Sequence, residues 1–262
     1  MAFSTAQYEA AIDKINSGLQ DINAKMQQLP PAARAAMDHW YVTQPVADMI
    51  AWSCDKVVEL ASDLLEKLIE LLKGSVAPIY MFMYSLDWED VRGLATGVAG
   101  QLKPEALSVD THWKGAAADA YARQITPQAE AAARIGTVAD KTALSLQVCA
   151  GAALAFYLAL GVIVVKFIMA MVTTLAAYAS AVFSWAGLAL TIEEASVNTA
   201  AILTAVGALL AVLGAQAKEM ASLHGEAVDK SAFPGGAWPD ATTANFTDAT
   251  VTDGDADWAF ER

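Results

Sequence analysis

Residues 142–217 read TALSLQVCAGAALAFYLALGVIVVKFIMAMVTTLAAYASAVFSWAGLALTIEEASVNTAAILTAVGALLAVLGAQA and contain only three charged side chains, Lys166, Glu193 and Glu194. These charges leave three runs of 24, 26 and 23 residues without Asp, Glu, Lys or Arg: 142–165, 167–192 and 195–217. About 20 apolar residues in a helix span the hydrocarbon core of a bilayer. Each run is therefore long enough to cross a membrane.

The composition of the whole chain lies between that of soluble and of membrane proteins. Hydrophobic residues make up 56 % and charged residues 17 %, against about 45–50 % and about 25 % in typical soluble domains. The net charge of −13 argues against a nucleic-acid partner, because the phosphate backbone is also negative. The N-terminal residues show no basic segment followed by an apolar one, so no Sec-type signal peptide is predicted.

The first predicted helix, over 4–29, carries apolar residues at the alternating 4-3 spacing of a coiled-coil seam. The seam consists of Tyr8, Ile12, Ile15, Leu19, Ile22, Met26 and Leu29. Pro30-Pro31 is expected to end this helix, because proline removes a hydrogen-bond donor and restricts the residue before it. The seam packs either within the bundle of its own chain or in a coiled coil with a second chain.

Further helices are predicted over 46–73, where a broad apolar stripe belongs inside a bundle, and over about 79–102. No segment sustains the alternation of a strand, so the predicted class is all-α. We expect an elongated antiparallel helical bundle with a long hydrophobic helical hairpin and a disordered acidic C-terminal tail. The predicted segments are N-terminal helices, a helical hairpin, a hydrophobic hairpin and the tail, over 1–74, 75–145, 146–228 and 229–262.

The hydrophobic hairpin is predicted to turn at 191–193, because Thr191-x-x-Glu194 matches the capping box that starts a helix. This turn places Glu193 and Glu194 at the tip of the hairpin. Lys166 lies about 26 residues before the turn, and Lys218 and Glu219 lie about 26 residues after it, so these charges bracket two arms of similar length. Trp185, near the tip, is a candidate for the membrane interface.

Three interpretations of the hairpin remain open from the sequence. Its arms form the core of a large soluble bundle, a constitutive transmembrane hairpin, or a hairpin that a soluble or oligomeric form inserts on a trigger. The abundance of alanine favours the soluble bundle, and the lack of a Lys/Arg cluster at the flanks disfavours a constitutive span. Two glutamates at the tip would cost less to bury once protonated, which makes mild acid the trigger in the third interpretation.

The sequence contains no recognisable catalytic or cofactor motif. His39, His112 and His224 are scattered and lie beside no Cys or carboxylate at the spacing of metal ligands. G-x-S-x-G, the P-loop and the dinucleotide fingerprint do not occur. Cys54 and Cys149 are predicted to be buried thiols that act as small hydrophobic residues. We therefore predict a non-enzymatic protein with no cofactor, metal or small-molecule substrate.

The segment HWKGAAADAY at 112–121 resembles the signature of the WXG family of helical-hairpin proteins, which are substrates and components of bacterial type VII secretion. In this resemblance Trp113 and Gly115 shape the turn for export or pairing, and Tyr121 follows on the next helix. The segment CAGAA at 149–153 and the apolar helix after it also resemble the larger Esp-type secretion-associated proteins of mycobacteria and their relatives.

The resemblance implies an all-α fold, export without a Sec signal peptide, pairing with a second helical hairpin, and often activity at a membrane or envelope. One feature departs from the family. The secretion signal Tyr-x-x-x-Asp/Glu is not present, because no tyrosine has an acidic residue four positions later. Either a partner carries the signal, or this chain is not itself exported.

Together, the residues and the resemblance predict a secreted or envelope protein of type VII secretion that is associated with membranes. It would form a homo-oligomer or pair with a helical WXG-type partner, and it would interact with or permeabilise membranes. The alternative is a soluble structural or chaperone-like component of a secretion assembly that pairs with another helical hairpin protein.

Overall fold

The computed structural model of the 262-residue chain describes residues 3–107, 113–180, 185–240 and 258–260. The helices are α1 (Thr5–Met37), α2 (Gln44–Leu72), α3 (Ala77–Gln101), the short α4 (Pro104–Leu107), α5 (Ala116–Ser180) and α6 (Trp185–Val228). Two three-residue strands, β1 (Trp113–Gly115) and β2 (Trp258–Phe260), form an antiparallel pair. The predicted all-α class is confirmed.

The chain forms two compact units, and each combines stretches that are far apart in the sequence. Unit 1 comprises Met1–Met81 and Val148–Gly214, and unit 2 comprises Phe82–Gln147 and Ala215–Arg262. The core of unit 1 is built from large apolar side chains of α1, α2 and α5. In unit 2 most buried side chains are alanines, which let helices approach closely: Ala99, Ala118, Ala131, Ala132, Ala139 and Ala143.

Helix α1 packs against its own chain in unit 1. Four residues of the predicted seam, spaced seven positions apart in the sequence, are fully buried: Tyr8, Ile15, Ile22 and Leu29. The seam residues between them, Ile12, Leu19 and Met26, are half-buried, and the buried face also includes Ala11 and Gly18. A Cβ atom on Gly18 would lie 2.2 Å from Cγ1 of Val164, so α1 and α5 approach closely at this glycine.

The predicted end of α1 at Pro30-Pro31 is wrong, because the helix continues to Met37 with both prolines inside it. Ala33 and Ala36 are buried and extend the face of Leu29 at helical spacing. Packing of this face therefore outweighs the two hydrogen-bond donors that the prolines remove.

Helix α2 runs antiparallel to α5 within unit 1. The Tyr157 hydroxyl donates to the backbone carbonyl of Leu71 at 2.9 Å, near the C-terminal end of α2. Nearer the N-terminal end of α2, the hydroxyls of Ser53 and Tyr178 share a hydrogen bond of 2.8 Å. These two bonds fix the register of the two helices, and they place the C-terminal end of α5 beside the N-terminal part of α2.

Helix α5 ends at Ser180 and α6 begins at Trp185, and residues 181–184 between them lie outside the described part of the chain. The predicted turn at 191–193 is therefore wrong, because those residues lie inside α6. A Thr-x-x-Glu signature marks a helix start only where the preceding chain is not helical. Residues 185–190 contain no proline and four good helix formers, so the helix extends upstream of the signature.

Parts of the predicted disordered tail have described structure, which differs from the prediction at those residues. Pro234–Gly236 forms a 3-10 turn, and the Gln128 side-chain amide donates to the carbonyl of Pro239 at 3.0 Å. Trp258–Phe260 forms β2. These residues contact α5 through Gln128 and β1 through the strand pair. The tail residues 241–257 and 261–262 lie outside the described part of the chain.

Candidate functional site

Helix α3 and the first part of α5 form an antiparallel hairpin in unit 2. Nε of Arg92 lies 3.6 Å from Oδ1 of Asp140. A Cβ atom on Gly136 would lie 2.9 Å from Cγ2 of Thr96, so the two helices are in close contact. The bend of this hairpin falls between Gln101 and Ala116 and contains the Trp-x-Gly motif.

The motif residues adopt a conformation that requires glycine. Gly115 has φ of 103°, a region that residues with a Cβ atom rarely adopt. Trp113 and Gly115, described here by their backbone, pair with Phe260 and Trp258 in the β1–β2 ladder. Tyr121 lies half-buried on α5, six residues after the end of β1 and beyond the first turn of the helix.

Charged side chains tether the C-terminal end of α6 to α5 within unit 2. Nζ of Lys141 lies 2.5 Å from Oε1 of Glu226, and Nη2 of Arg134 lies 3.3 Å from Oδ2 of Asp229. The hydrogen bond from Lys141 lowers the pKa of Glu226. Hydrogen bonds from the backbone N–H and the hydroxyl of Ser231 lower the pKa of Asp229. Both carboxylates are therefore held in the charged form.

Two described helical segments, Ala118–Ser180 and Ala200–Val228, are long and apolar enough to cross a membrane. They differ sharply in burial. In the most apolar 18-residue stretch of Ala118–Ser180, 61 % is buried, as expected of a core helix. In the corresponding stretch of Ala200–Val228, only 6 % is buried. Burial within the protein therefore does not account for the apolar character of α6.

The part of α6 in unit 1 contacts α5 on one face and leaves the other open. The contact face borders an apolar cavity of about 230 Å³, which is lined by Ala152, Ala155, Phe156, Ala159, Ala205, Ala208, Leu209 and Val212. On the open face, Leu203 and Leu210 are 63 % and 61 % exposed. Cβ atoms on Gly207 and Gly214 would meet nothing within 4 Å, so this face is flat and accessible.

A second apolar stripe lies exposed on α5 in unit 1. Its members follow a 4-3-4-3 spacing: Leu158, Val162, Val165, Met169 and Val172. The opposite face of the same helix is buried against α1 and α2. Soluble monomers rarely expose a large contiguous apolar surface, so both exposed faces are candidates for contact with a membrane or a partner.

The predicted charged residues of the hairpin do not bracket its arms. Lys166 lies 14 residues before the end of α5, whereas Lys218 and Glu219 lie more than 30 residues after the start of α6. Glu193 and Glu194 lie inside α6, eight and nine residues after Trp185, and not at the tip. The start of α6 at Trp185, seven residues before the predicted start at 192, explains these differences. Lys166, Glu193, Lys218 and Glu219 are exposed, and Trp185 and Glu194 are described by their backbone alone.

The two exposed apolar faces were missed from the sequence, because α5 is apolar on both sides and its buried and exposed stripes share one spacing. Among the residues that the structure describes, no group of three or more His, Cys, Asp or Glu side chains could hold a metal ion. Comparison of the chain with protein-family models, curated proteins and solved structures gave no match. The resemblance to the WXG family therefore remains an expectation.

Proposed function

We propose that this chain is a non-enzymatic, type VII secretion-associated protein that binds and permeabilises membranes through the α5–α6 hairpin. It would act as a secreted or envelope-associated homo-oligomer. The observation that carries the proposal is the low burial of α6, whose run 195–217 is free of charged residues and exposes Leu203 and Leu210.

The dimensions of the two arms suit a bilayer. The run 195–217 on α6 would rise about 35 Å, and the run 142–165 on α5 about 36 Å, at about 1.5 Å per residue. Both exceed the hydrocarbon thickness of about 30 Å. Helices satisfy their backbone hydrogen bonds internally, so both arms could enter lipid without unpaired peptide groups.

The difference in burial suggests an order of events. The apolar stretch of α6 within Ala200–Val228 is much less buried than that of α5, so its open face would meet the membrane first. Helix α5 is packed against α1 and α2 through side chains such as Leu154, Leu160 and Phe167. Its insertion would require unit 1 to open, with lipid contacts replacing the buried protein contacts.

The type VII assignment is supported by the α3–α5 hairpin with Trp113-Lys114-Gly115 at its bend. The positive φ of Gly115 gives the glycine of the motif a physical role. Pairing with a second helical hairpin is supported by exposed apolar residues on α3, among them Val91, Leu94 and Val98.

The test compares two variants that add the same charge to unit 1. Leu203→Lys/Leu210→Lys places two lysines on the open face of α6, where each would cost about 2.5–3.5 kcal/mol at the centre of a membrane. Gln27→Lys/Gln28→Lys places two lysines on an exposed face of α1. Liposome flotation and dye release should be lost in the first variant and retained in the second. Equal flotation and leakage by both variants would refute membrane action through α6.

The second candidate is a soluble structural or chaperone-like component that pairs with another helical hairpin protein. The exposed stripe on α3 favours it, because Val91, Leu94 and Val98 repeat at helical spacing on one side of unit 2. Absence of flotation by the unmodified protein under every condition would favour this candidate over membrane action.

A further inference from the structure

The connection between α1 and α2 carries three adjacent aromatic rings in unit 1. Trp40 is 93 % exposed, the largest exposed fraction among the large hydrophobic side chains described. The ring of Tyr41 stacks on His39 at 5.2 Å and meets Trp40 edge-on at 5.6 Å. Tyr41 therefore joins the three rings into one cluster, although water surrounds most of Trp40.

The aromatic cluster and the C-terminal end of α5 lie at the same end of unit 1. The hydrogen bond between Ser53 and Tyr178 places the last residues of α5 beside the N-terminal part of α2. Helix α2 begins at Gln44, nine residues before Ser53, and α5 runs toward that end. Trp52, next to Ser53, is also exposed. The end of unit 1 at which α5 ends thus carries exposed aromatic side chains.

The charged residues that flank the cluster most closely in the chain, Arg34, Asp38 and Asp48, carry a net negative charge, which disfavours anionic lipid. Between Arg34 and Lys56 the chain contains Asp38, Asp48 and Asp55 but no Lys or Arg. The stretch 167–180 of α5 contains no charged residue. An acidic surface of phosphatidylglycerol or phosphatidylserine would repel these aspartates.

We propose that the aromatic cluster His39-Trp40-Tyr41 docks unit 1 on the interfacial layer of an uncharged phosphatidylcholine bilayer. The inference rests on the proposed membrane function and names the lipid that it requires. Trp and Tyr rings have an apolar body and a polar edge, and they concentrate at membrane–water interfaces. The choline group is a quaternary ammonium ion, which aromatic faces attract and which Asp38 complements in charge.

The test is flotation of the full chain with vesicles of pure phosphatidylcholine and with vesicles that contain an equal amount of phosphatidylglycerol. Trp40→Ala/Tyr41→Ala removes the cluster, and Trp238→Ala removes an exposed tryptophan of unit 2 as the matched control. The partition coefficient of the double variant on phosphatidylcholine should fall by at least about tenfold, the loss expected from one large apolar side chain. The control should bind like the unmodified protein, and circular dichroism should show both variants folded.

The outcomes separate the inference from the proposed function. If the unmodified protein floats and the double variant floats equally well, the cluster has no docking role, and membrane action through α6 stands. Binding that requires phosphatidylglycerol also overturns the inference but leaves membrane action intact. Failure of the unmodified protein to float on either vesicle overturns both.

Discussion

Replacing Gly18 with alanine should destabilise unit 1, because α1 and α5 pack more closely there than a methyl group allows. The new Cβ would lie 2.2 Å from Cγ1 of Val164, far inside the ordinary contact range of 3.4–4 Å. Valine in a helix has one strongly preferred rotamer, so Val164 cannot readily turn away. Overpacking of this kind costs about 1–3 kcal/mol.

Gly207→Ala is the matched control, because its Cβ would meet nothing within 4 Å on α6. Both substitutions gain the same helix propensity, about 1 kcal/mol. This gain cancels when the two variants are compared, and the difference in unfolding free energy, about 1–3 kcal/mol, then isolates the clash at Gly18.

Urea unfolding followed by circular dichroism measures this difference, provided that the slope with denaturant is unchanged. We expect Gly18→Ala to unfold at lower urea than the original chain and Gly207→Ala to unfold at higher urea. Equal unfolding midpoints for the two variants would refute the close packing of α1 on α5. In the proposed function, loosening this contact also frees α5, so Gly18→Ala should release dye from vesicles faster than the original chain.

Three further predictions concern single interactions. Ser53→Ala should lower the unfolding free energy by about 0.5–1.5 kcal/mol, since it removes the hydrogen bond to Tyr178. In a double-mutant cycle with Tyr178→Phe, the two losses of unfolding free energy should not add. Additive losses would show that the bond contributes nothing. The folded-state pKa of Glu226 is below its ordinary value, so its stabilisation is present above the ordinary carboxylate pKa and is lost as pH falls through the lowered value. Unit 2 should therefore keep the Lys141–Glu226 ion pair at mildly acidic pH and lose it only in stronger acid. Lys141→Met should weaken the dependence of the unfolding free energy on acidic pH. An unchanged dependence would contradict a stabilising role of this ion pair. Leu94→Glu should leave the unfolding free energy within about 0.5 kcal/mol of the original in urea titration, because the side chain is exposed on α3; a larger loss would place Leu94 in a core.

The all-α class and the positions of most helices could be predicted from the sequence, because apolar spacing in these segments is regular. The seam from Tyr8 to Leu29 is buried or half-buried throughout. The Trp-x-Gly motif could be placed at the bend of a hairpin, since helical patterns flank it on both sides. The end of α1 could not be predicted, because two adjacent prolines normally end a helix. Here the helix continues because Ala33 and Ala36 are buried by tertiary contacts, which the local sequence does not reveal.

The start of α6 could not be predicted correctly from the sequence for a related reason. Residues 167–192 lack charge and proline, so the capping signature at Thr191 was the strongest local signal available. The point where α5 ends depends on tertiary contacts, which here include the hydrogen bond between Tyr178 of α5 and Ser53 of α2. The exposed face of α6 could not be predicted either, since composition does not distinguish a buried apolar helix from an open one.

A fluorophore on the open face of α6 tests most directly whether this face contacts the membrane. A polarity-sensitive dye would be attached at Leu210→Cys in a Cys54→Ala/Cys149→Ala background, and at Gln28→Cys of the same background as the control. On phosphatidylcholine vesicles, the dye at position 210 should shift to the emission of an apolar environment and be quenched by lipid-borne quenchers, while the dye at position 28 should not. Vesicle-bound protein whose dye at position 210 stays in water would contradict membrane contact through α6.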